Sequence, residues 1–238
     1  MRRSDERILT THTGSLPRPP ELTRLYVRRA RGESVDAAEI EKLGRAALRG
    51  IVQKQAEAGV DIANNGEQQR EGFFLHIRHR MSGFGGSWQR RTRADALRYP
   101  VFRQMMEQQL AAREAVSNMG PPKAIGEVCY LGAAAIEAEC GDFQAALDQT
   151  STHFVEPFLT VPAPGIIASA MNNEYYDSER PISRHSPRRC KGNTRRSYGA
   201  GFCCNSITRI STSNVICRQD RPLGEFLGFV ERLSGRST

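Results

Sequence analysis

The sequence predicts an α/β fold made of consecutive strand–helix units. Short apolar runs at residues 8–11, 60–63, 124–130 and 154–161 alternate with longer segments whose apolar residues recur at helical spacing. Strands that alternate with helices favour a parallel sheet, and four such units before residue 180 are half of an eight-stranded (β/α)8 barrel, the TIM barrel. A complete barrel takes about 250 residues. We therefore expect only the N-terminal half of a barrel in these 238 residues.

The first two helices are predicted at residues 21–31 and 36–59. Pro17, Pro19 and Pro20 prevent strand pairing from continuing and favour a helix start at Glu21. Asp36 is the expected N-cap of the second helix, and Gly59 ends it. The apolar positions of the second helix follow helical spacing at Ile40, Leu43, Ala47, Ile51 and Ala58.

Further helices are predicted in the rest of the chain. Residues 73–80 and 100–118 have helical character, with a glycine-rich loop at 83–86 between them. An alanine-rich helix at 133–150 is expected to be interrupted near Gly141, and a last helix at 164–170 follows the fourth strand.

Two polar, glycine-containing loops follow the first two predicted strands. Residues 11–19 read Thr-His-Thr-Gly-Ser-Leu-Pro-Arg-Pro, and residues 64–74 read Asn-Asn-Gly-Glu-Gln-Gln-Arg-Glu-Gly-Phe-Phe. In parallel α/β proteins, loops at the carboxyl ends of strands are where ligands bind. The repeated layout therefore predicts a binding site, although either loop alone could be an ordinary turn.

Together these loops resemble those of the cobalamin-independent methionine synthases, in particular their single-domain relatives. The resemblance continues through residues 80–84 (Arg-Met-Ser-Gly-Phe), 126–128, 161–165 and 173–176, and it covers roughly residues 8–179. It implies a TIM barrel of the methionine synthase type. It also implies transfer of a methyl group from 5-methyltetrahydrofolate polyglutamate to the zinc-activated thiol of homocysteine, which gives methionine.

The resemblance implies substrate-binding roles for five residues. Glu67 matches the carboxylate that binds the amino group of homocysteine, and Ser15 with Gly14 matches the turn that holds its carboxylate. Arg70 could bind an anion such as the folate tail or pair with Glu71, and His12 could neighbour the ligand. The alternatives are a solvated Glu67, a plain turn at Ser15 and a polar strand-end residue at His12.

Zinc is expected by resemblance, but no ligand is predicted in this sequence. The related enzymes take their ligands from a His-x-Cys pair, a Glu and a distal Cys in the second half of the barrel. His185 and Cys190 have neither that spacing nor that position, and Cys129 and Cys140 are predicted to be small buried residues. We predict no catalytic residue, and we expect the 238-residue chain to be aggregation-prone, to bind no stoichiometric zinc and to transfer no methyl group.

Residues 180–219 differ from the rest of the chain. They carry nine of the 34 Lys and Arg residues, none of the 26 Asp and Glu residues, and four of the six cysteines, so they account for the net charge of +8. Composition predicts a disordered basic loop, and a zinc knuckle is disfavoured because no Cys-x-x-Cys pair is present. We accordingly divide the chain into residues 1–179, the half barrel, an aberrant basic segment at 180–219, and a short helical tail at 220–238.

A compensated frameshift would explain this segment. Reading codons 204–214 from the third base permits Gln-Leu-Asp-Asn-Pro-Asp-Leu, and the related enzymes carry Gln-x-Asp-x-Pro-x-Leu at this point. The same shift over residues 180–196 permits an alanine- and leucine-rich helix. Resequencing the gene should then show one indel near codon 180 and a compensating one near codon 218, and stop codons in the shifted frame would contradict the hypothesis.

Other functions remain open at this stage. A related zinc-dependent transferase could act on another thiol, such as coenzyme M. A non-enzymatic nucleic-acid-binding protein is supported only by the basic cluster with Tyr198 and Phe202, since no RNA- or DNA-binding module is recognisable. The sequence contains no run of about 18 apolar residues and no secretory signal at its N-terminus, so a cytoplasmic location without a membrane span is expected.

Overall fold

A computed structural model describes residues 4–88, 94–111, 120–162, 166–167, 170–177 and 203–207. Five α-helices and six strands are assigned in these ranges. The helices are α1 Pro20–Ala30, α2 Ala37–Glu57, α3 Ala94–Arg98, α4 Pro100–Ala111 and α5 Ala133–Asp148. The strands are β1 Ile62–Asn64, β2 Phe84–Gly85, β3 Lys123–Ala124, β4 Glu156–Pro162, β5 Asn172–Asn173 and β6 Cys203–Ile207, and a 3-10 helix spans Leu75–His79.

The predicted boundaries of α1 and α2 are confirmed to within two residues. Pro20 occupies the first turn of α1, where its missing N–H costs no hydrogen bond. The Asp36 carboxylate accepts from the Ala38 N–H at 2.9 Å and caps α2, and Gly59 has a positive φ of 69° just beyond the end of α2.

The described parallel sheet has the strand order β1-β4-β6, with Ile62 of β1 also bridged in parallel to Thr11. Asn64 pairs with Phe158, and β4 pairs with β6 over five residues from Phe158 to Pro162. The helix α2 lies between Thr11 and β1 along the chain, and α5 lies between β1 and β4. These connections are the strand–helix units that the sequence predicts, but no barrel closes within the described residues.

The prediction of a strand at residues 124–130 is wrong. The described parallel sheet therefore contains one strand–helix unit fewer before residue 180 than the sequence predicts. β1 pairs directly with β4, so no strand lies between them. Lys123 and Ala124 instead form β3 of a separate small sheet, antiparallel to β2 and parallel to β5. The described residues between β1 and α5 therefore form an insertion that precedes α5 rather than a barrel unit.

Other predictions need smaller corrections. Of the strand predicted at residues 8–11, only Thr11 pairs with the sheet, through an isolated bridge to Ile62. Ile8, at the start of that predicted strand, is 84% exposed. α5 continues through Gly141 without interruption, so the expected break there is wrong. The helix predicted at 73–80 is a 3-10 turn, and the predicted helix end at 112–118 lies outside the described residues.

The core that supports the parallel strands lies between α2, α5, β1 and β4. It contains eight buried residues, Leu48, Val52, Ala63, Ile136, Cys140, Phe143, Ala146 and Leu159. Cys140 is buried as predicted, whereas Cys129 is partly exposed. A second cluster joins α1 to α2 around Leu22, Tyr26 and Ala47, and Ala58 of the predicted apolar face is exposed.

The basic segment contributes one described element. Residues 203–207 form β6 and extend the parallel sheet beyond β4, so the prediction of a disordered loop is wrong for these five residues. The remainder of residues 180–219 and the tail at 220–238 lie outside the described residues. Within the described ranges, no helix combines the length and apolarity that a membrane crossing would need.

Candidate functional site

The two loops singled out in the sequence lie against each other. The Leu16 N–H donates to the Gly66 carbonyl at 3.0 Å, and the Gln68 side-chain amide donates to the Leu16 carbonyl at 3.0 Å. Both loops follow neighbouring positions of the parallel sheet, one after Thr11 and the other after Asn64. The structure thus confirms that the two motifs form one loop pair at the carboxyl edge of the sheet.

The second loop begins with a tight turn that has an unusual backbone. Gly66 and Glu67 both have φ of 56°, and the Gln68 N–H donates to the Asn65 carbonyl at 3.2 Å. This is the φ pattern of a type I′ turn, whose central positions favour Gly and Asn. Glu67 is the non-glycine residue with positive φ in the described structure, a conformation that costs about 1–2 kcal/mol. Backbone strain of this kind is found mostly at functional sites, where a particular side chain has to be held in one position.

The Glu67 carboxylate is buried and held by two hydroxyl groups. Its side chain is 1% exposed; Oε2 accepts a hydrogen bond from Ser15 Oγ, and Oε1 accepts one from Thr160 Oγ1 at 2.9 Å. Thr160 lies in β4, two residues beyond the pairing partner of Asn64. These three residues, Ser15, Glu67 and Thr160, are called the Glu67 site below. Among the described residues, the Glu67 carboxylate accepts hydrogen bonds only from these two neutral hydroxyls, and it retains lone pairs because a carboxylate has about four acceptor sites.

Side-chain amides fix the strand end from which the turn begins. Gln55 of α2 forms two hydrogen bonds with the backbone of Asn64, whose N–H and carbonyl lie 3.1 and 2.8 Å from the amide atoms. The Asn64 side chain donates to the His12 carbonyl at 2.6 Å and accepts from the Gly66 N–H at 2.8 Å. Asn64 therefore sets the position of both loops at once.

A second buried carboxylate lies beside the first. Glu139 of α5 is 3% exposed and accepts from Arg70 Nε at 2.6 Å, Arg80 Nη2 at 2.7 Å and Asn65 Nδ2 at 2.8 Å. These four residues are called the Glu139 network below. Burial alone would raise the pKa of Glu139, but the charges of Arg70 and Arg80 outweigh burial and hold that pKa at about 2.

The Glu139 network is connected to the Glu67 site at two points. Arg70 Nη1 donates to the Thr160 carbonyl at 2.7 Å, and Asn65 Oδ1 accepts from the Glu67 N–H at 3.1 Å. A closed ring of hydrogen bonds therefore joins Glu67, Thr160, Arg70, Glu139 and Asn65. Each member has its orientation fixed from two sides, which suits a site that must be preorganised.

His76 is buried against the Glu139 network. Its Nδ1 lies 3.1 Å from the Gly72 carbonyl, which favours the tautomer that carries the proton on Nδ1. Burial lowers the pKa of His76 well below its usual range, and the cations of Arg70 and Arg80 lower it further. We therefore assign a neutral imidazole to this position.

The residues predicted from the sequence are placed as follows. Ser15 and Glu67 are in direct contact, and Gly14 has the positive φ of 109° that the turn before Ser15 requires. The ring nitrogen Nε2 of His12 is buried and has no hydrogen-bond partner in the described structure. Arg70 pairs with Glu139, whereas Glu71 pairs with Arg29, Arg78 and His79, so the structure does not show the Arg70–Glu71 pair that the sequence left open as one alternative.

Sequence reasoning missed Thr160, Glu139, Asn65 and Arg18. Thr160 carries the one hydroxyl of the buried stretch Phe-Leu-Thr of β4, and that pattern could have identified it. Glu139 lies on an alanine-rich helix, next to Cys140, and nothing in its local sequence indicates a site residue. Its importance is seen only from its hydrogen-bond partners, which come from distant segments of the chain. Arg18 lies in a proline-rich loop that gives no sign of its contact, in which its Nη2 donates to the Glu67 carbonyl at 2.8 Å.

The described residues do not fit a zinc site. No group of three or more His, Cys, Asp or Glu side chains that could hold a metal ion occurs in the part of the chain that the structure describes. His185, Cys190 and the cysteines at 203, 204 and 217 have no described side chains. No step of the chemistry is therefore assigned to a metal held by this chain.

Comparison with known proteins gives a likeness in fold. No family model and no curated protein matches the sequence. A B12-independent methionine synthase from a Shewanella species, solved in complex with selenomethionine, aligns with a TM-score of 0.55 and 18% identity over 81% of this chain. A putative vitamin-B12 independent methionine synthase from Listeria monocytogenes aligns with a TM-score of 0.51 and 14% identity over 91% of this chain.

This chain spans 49% of the first of these proteins and 62% of the second. At these identities the likeness concerns the fold alone. It supports the α/β class of the sequence prediction.

Proposed function

We propose that this chain carries the amino-acid-binding half of a methyltransferase of the methionine synthase type and that the loop pair binds the amino acid substrate, homocysteine. The methyl donor would be a methylated folate, as the sequence resemblance implies. The described residues supply the amino-acid-binding part of such a site. They do not account for transfer of the methyl group, because they do not fit the zinc that would activate the thiol.

The observation that carries the proposal is the state of Glu67. A buried carboxylate in a strained backbone conformation, bonded by two hydroxyls and by no cation, lies at the carboxyl edge of a parallel sheet. Arg18 contacts the backbone carbonyl of Glu67 rather than its carboxylate, so a cation that arrives with a ligand would stabilise this buried anion. The ammonium of an α-amino acid supplies that cation and up to three N–H donors.

The comparisons support the same choice of ligand. The Shewanella protein is a methionine synthase in complex with selenomethionine, an α-amino acid. The sequence resemblance independently assigns the ammonium of homocysteine to Glu67 and its carboxylate to the Gly14–Ser15 turn. In the structure, Ser15 Oγ donates to Glu67, so the two residues form one unit.

Calorimetric titration of the 238-residue chain with L-homocysteine and L-methionine tests the proposal. We expect both amino acids to bind and Glu67→Gln to weaken binding by about 1.5–3 kcal/mol, the usual value of a hydrogen bond to a charged group. Glu41→Gln is the matched control, since Glu41 is exposed on α2. Unchanged affinity in Glu67→Gln, or equal losses in both variants, would remove Glu67 from the binding site.

A further inference from the structure

Exposed apolar side chains are concentrated in one stretch of the insertion between β1 and α5. Five of the nine large apolar side chains that are exposed in the described structure lie within nine consecutive residues, namely Leu97, Tyr99, Val101, Phe102 and Met105. Single exposed apolar residues are common on any protein, whereas a cluster of them indicates an interaction surface. These five residues are called the α4 surface below.

The helix α4 buries very little of its own surface. Among its described side chains, that of Met106 is half-buried and all the others are exposed. The chain enters and leaves this region at one point, since the Trp88 N–H donates to the Pro121 carbonyl at 3.0 Å. A helix of 12 residues is only marginally stable in water when no tertiary packing supports it. A partner that covers one face of α4 would therefore stabilise the helix.

One face of α4 is apolar and carries no charge. Val101, Phe102 and Met105 fall within about 100° of arc, because successive residues of an α-helix are rotated by about 100°. The two charged side chains of α4, Arg103 and Glu107, lie on the opposite side and pair with each other at 3.5 Å. Helices that bind lipid surfaces or nucleic acids have a positively charged polar face, and the charges of α4 cancel. The apolar face therefore suits another apolar protein surface.

We propose that the α4 surface is a dimer interface and that a second copy of this chain covers it. In a two-fold dimer the same patch of both chains meets, so a charge at its centre would face an identical charge. The apolar face of α4 contains no such charge and is therefore compatible with itself. The inference does not depend on the proposed function, because the α4 surface shares no residue with the loop pair or the Glu67 site.

The exposed area is sufficient for a homodimer. A fully accessible large side chain offers about 150–250 Å², so the exposed fractions of the five side chains together give roughly 500 Å² per chain. A standard interface buries about 800 Å² per partner, and about 65% of a homodimer interface is apolar. The α4 surface therefore supplies about as much apolar area as an interface of standard size needs.

Sedimentation velocity of the 238-residue chain over a concentration series tests the inference. We expect wild type to shift from the monomer mass to twice that mass as its concentration rises. Val101→Glu should raise the dimer dissociation constant at least about 10-fold, because it places an unpaired carboxylate in the interface. Val101 is 79% exposed, so the circular dichroism of the monomer should not change. Ile8→Glu is the matched control, since Ile8 is also β-branched, is 84% exposed and lies outside the α4 surface.

Three results of the sedimentation experiment would contradict the inference. One is a wild-type chain that remains monomeric up to roughly 100 μM, a concentration at which a micromolar dimer would form. Another is an Ile8→Glu variant that dissociates as readily as Val101→Glu, which would place the interface elsewhere. The third is association into species larger than a dimer that Val101→Glu does not reduce, which would indicate general aggregation.

A photo-cross-linker identifies what covers the α4 surface. With p-benzoyl-L-phenylalanine in place of Phe102, irradiation should give dimers whose cross-links lie within residues 97–105 of the second chain. Cross-links inside one chain, for example to residues 220–238, would mean that the chain covers its own α4 surface and would overturn the dimer. Binding to phosphatidylserine vesicles that Val101→Glu abolishes, without cross-links between chains, would assign the surface to a lipid and overturn it as well.

Discussion

The Glu67 site and the Glu139 network each contain one buried carboxylate, and the two carboxylates are bonded by different partners. Glu139 is bonded by two guanidinium groups and an amide, all from side chains. Glu67 is bonded by two hydroxyls, and the nearby Arg18 contacts its backbone carbonyl rather than its carboxylate. The two groups are connected through Thr160 and Asn65, so they share one environment.

The difference separates a structural charge from one that is available to a ligand. Charges that are fully paired inside a protein hold segments together, and removing one partner is costly because the other remains buried. Glu139 has this role, since it joins α5 to the insertion and, through Arg70, to β4. The Glu67 carboxylate forms no ion pair within the described residues, although it lies close enough to Arg18 to oppose the lowering of that residue's pKa by burial, and its backbone is strained. Both properties are expected where a ligand completes the site.

Loss of the Glu139 carboxylate should have the largest effect on stability. Glu139→Ala leaves the Arg70 guanidinium, which is 1% exposed, without a counter-ion. We expect the free energy of unfolding to fall by about 3–5 kcal/mol in urea denaturation. Glu41→Ala, on the exposed face of α2, removes only an exposed pair with Arg45 one turn along the helix and should change it by no more than about 0.5 kcal/mol. Equal effects of the two substitutions would mean that the Glu139 network adds nothing to stability.

The same two groups show what could be predicted from the sequence. The loop pair is predictable because its signals are local: an apolar run, then a glycine turn, twice in the chain. The Glu139 network is not, because Glu139 of α5 lies 59 to 74 residues along the chain from its partners, which come from the turn after β1 and the region of the 3-10 helix. The strand predicted at 124–130 failed for a related reason. Its apolar run is compatible with a strand, but only tertiary pairing decides that β4 occupies the place beside β1.

Contact between the two loops can be broken at Gly66. A Cβ at Gly66 would lie 3.1 Å from Leu16 Cδ1 and 3.3 Å from Ile51 Cγ1, and φ there is 56°. Gly59 has a similar φ of 69° with nothing within 4 Å of a Cβ, so Gly59→Ala measures the backbone strain alone. We expect Gly59→Ala to cost about 1 kcal/mol and Gly66→Ala about 2–3 kcal/mol of unfolding free energy. Equal costs would show that the loops do not pack tightly at this point.

The free energy of unfolding should depend on pH in two ranges, which we call the first window, set by His76, and the second window, set by Glu139. The pKa of His76 is lowered from its usual 6.5, so the unfolded chain binds a proton there before the folded chain does. The stabilisation is complete above pH 6.5 and declines below it by up to about 1.4 kcal/mol per pH unit. The pKa of Glu139 is lowered from 4.5 to about 2, so its contribution is complete above pH 4.5 and is lost as the pH falls from 4.5 toward 2.

Replacement of His76 should remove the first window and leave the second. Urea denaturation of His76→Asn at several pH values should give a smaller slope between pH 6.5 and 4.5 than in wild type, whatever its stability at pH 7. His153→Asn, which replaces an exposed histidine, should keep the wild-type slope. An unchanged slope in His76→Asn would mean that the buried imidazole is not the group that titrates.

The smallest effect on stability is expected for Glu67→Gln, although the substitution should weaken ligand binding. The amide oxygen of Gln can accept from the Thr160 hydroxyl, and its NH₂ group can donate to the Ser15 hydroxyl, which rotates to accept. Both hydrogen bonds are therefore replaced, and Arg18, the nearby cation on which the Glu67 charge acts, keeps its hydrogen bond to the backbone carbonyl of residue 67. We expect the unfolding free energy of the ligand-free chain to change by less than about 1 kcal/mol. A loss of several kcal/mol would instead place Glu67 with Glu139 among the structural charges. Its strained turn would then serve stability, and the Glu67 site would not be reserved for a ligand.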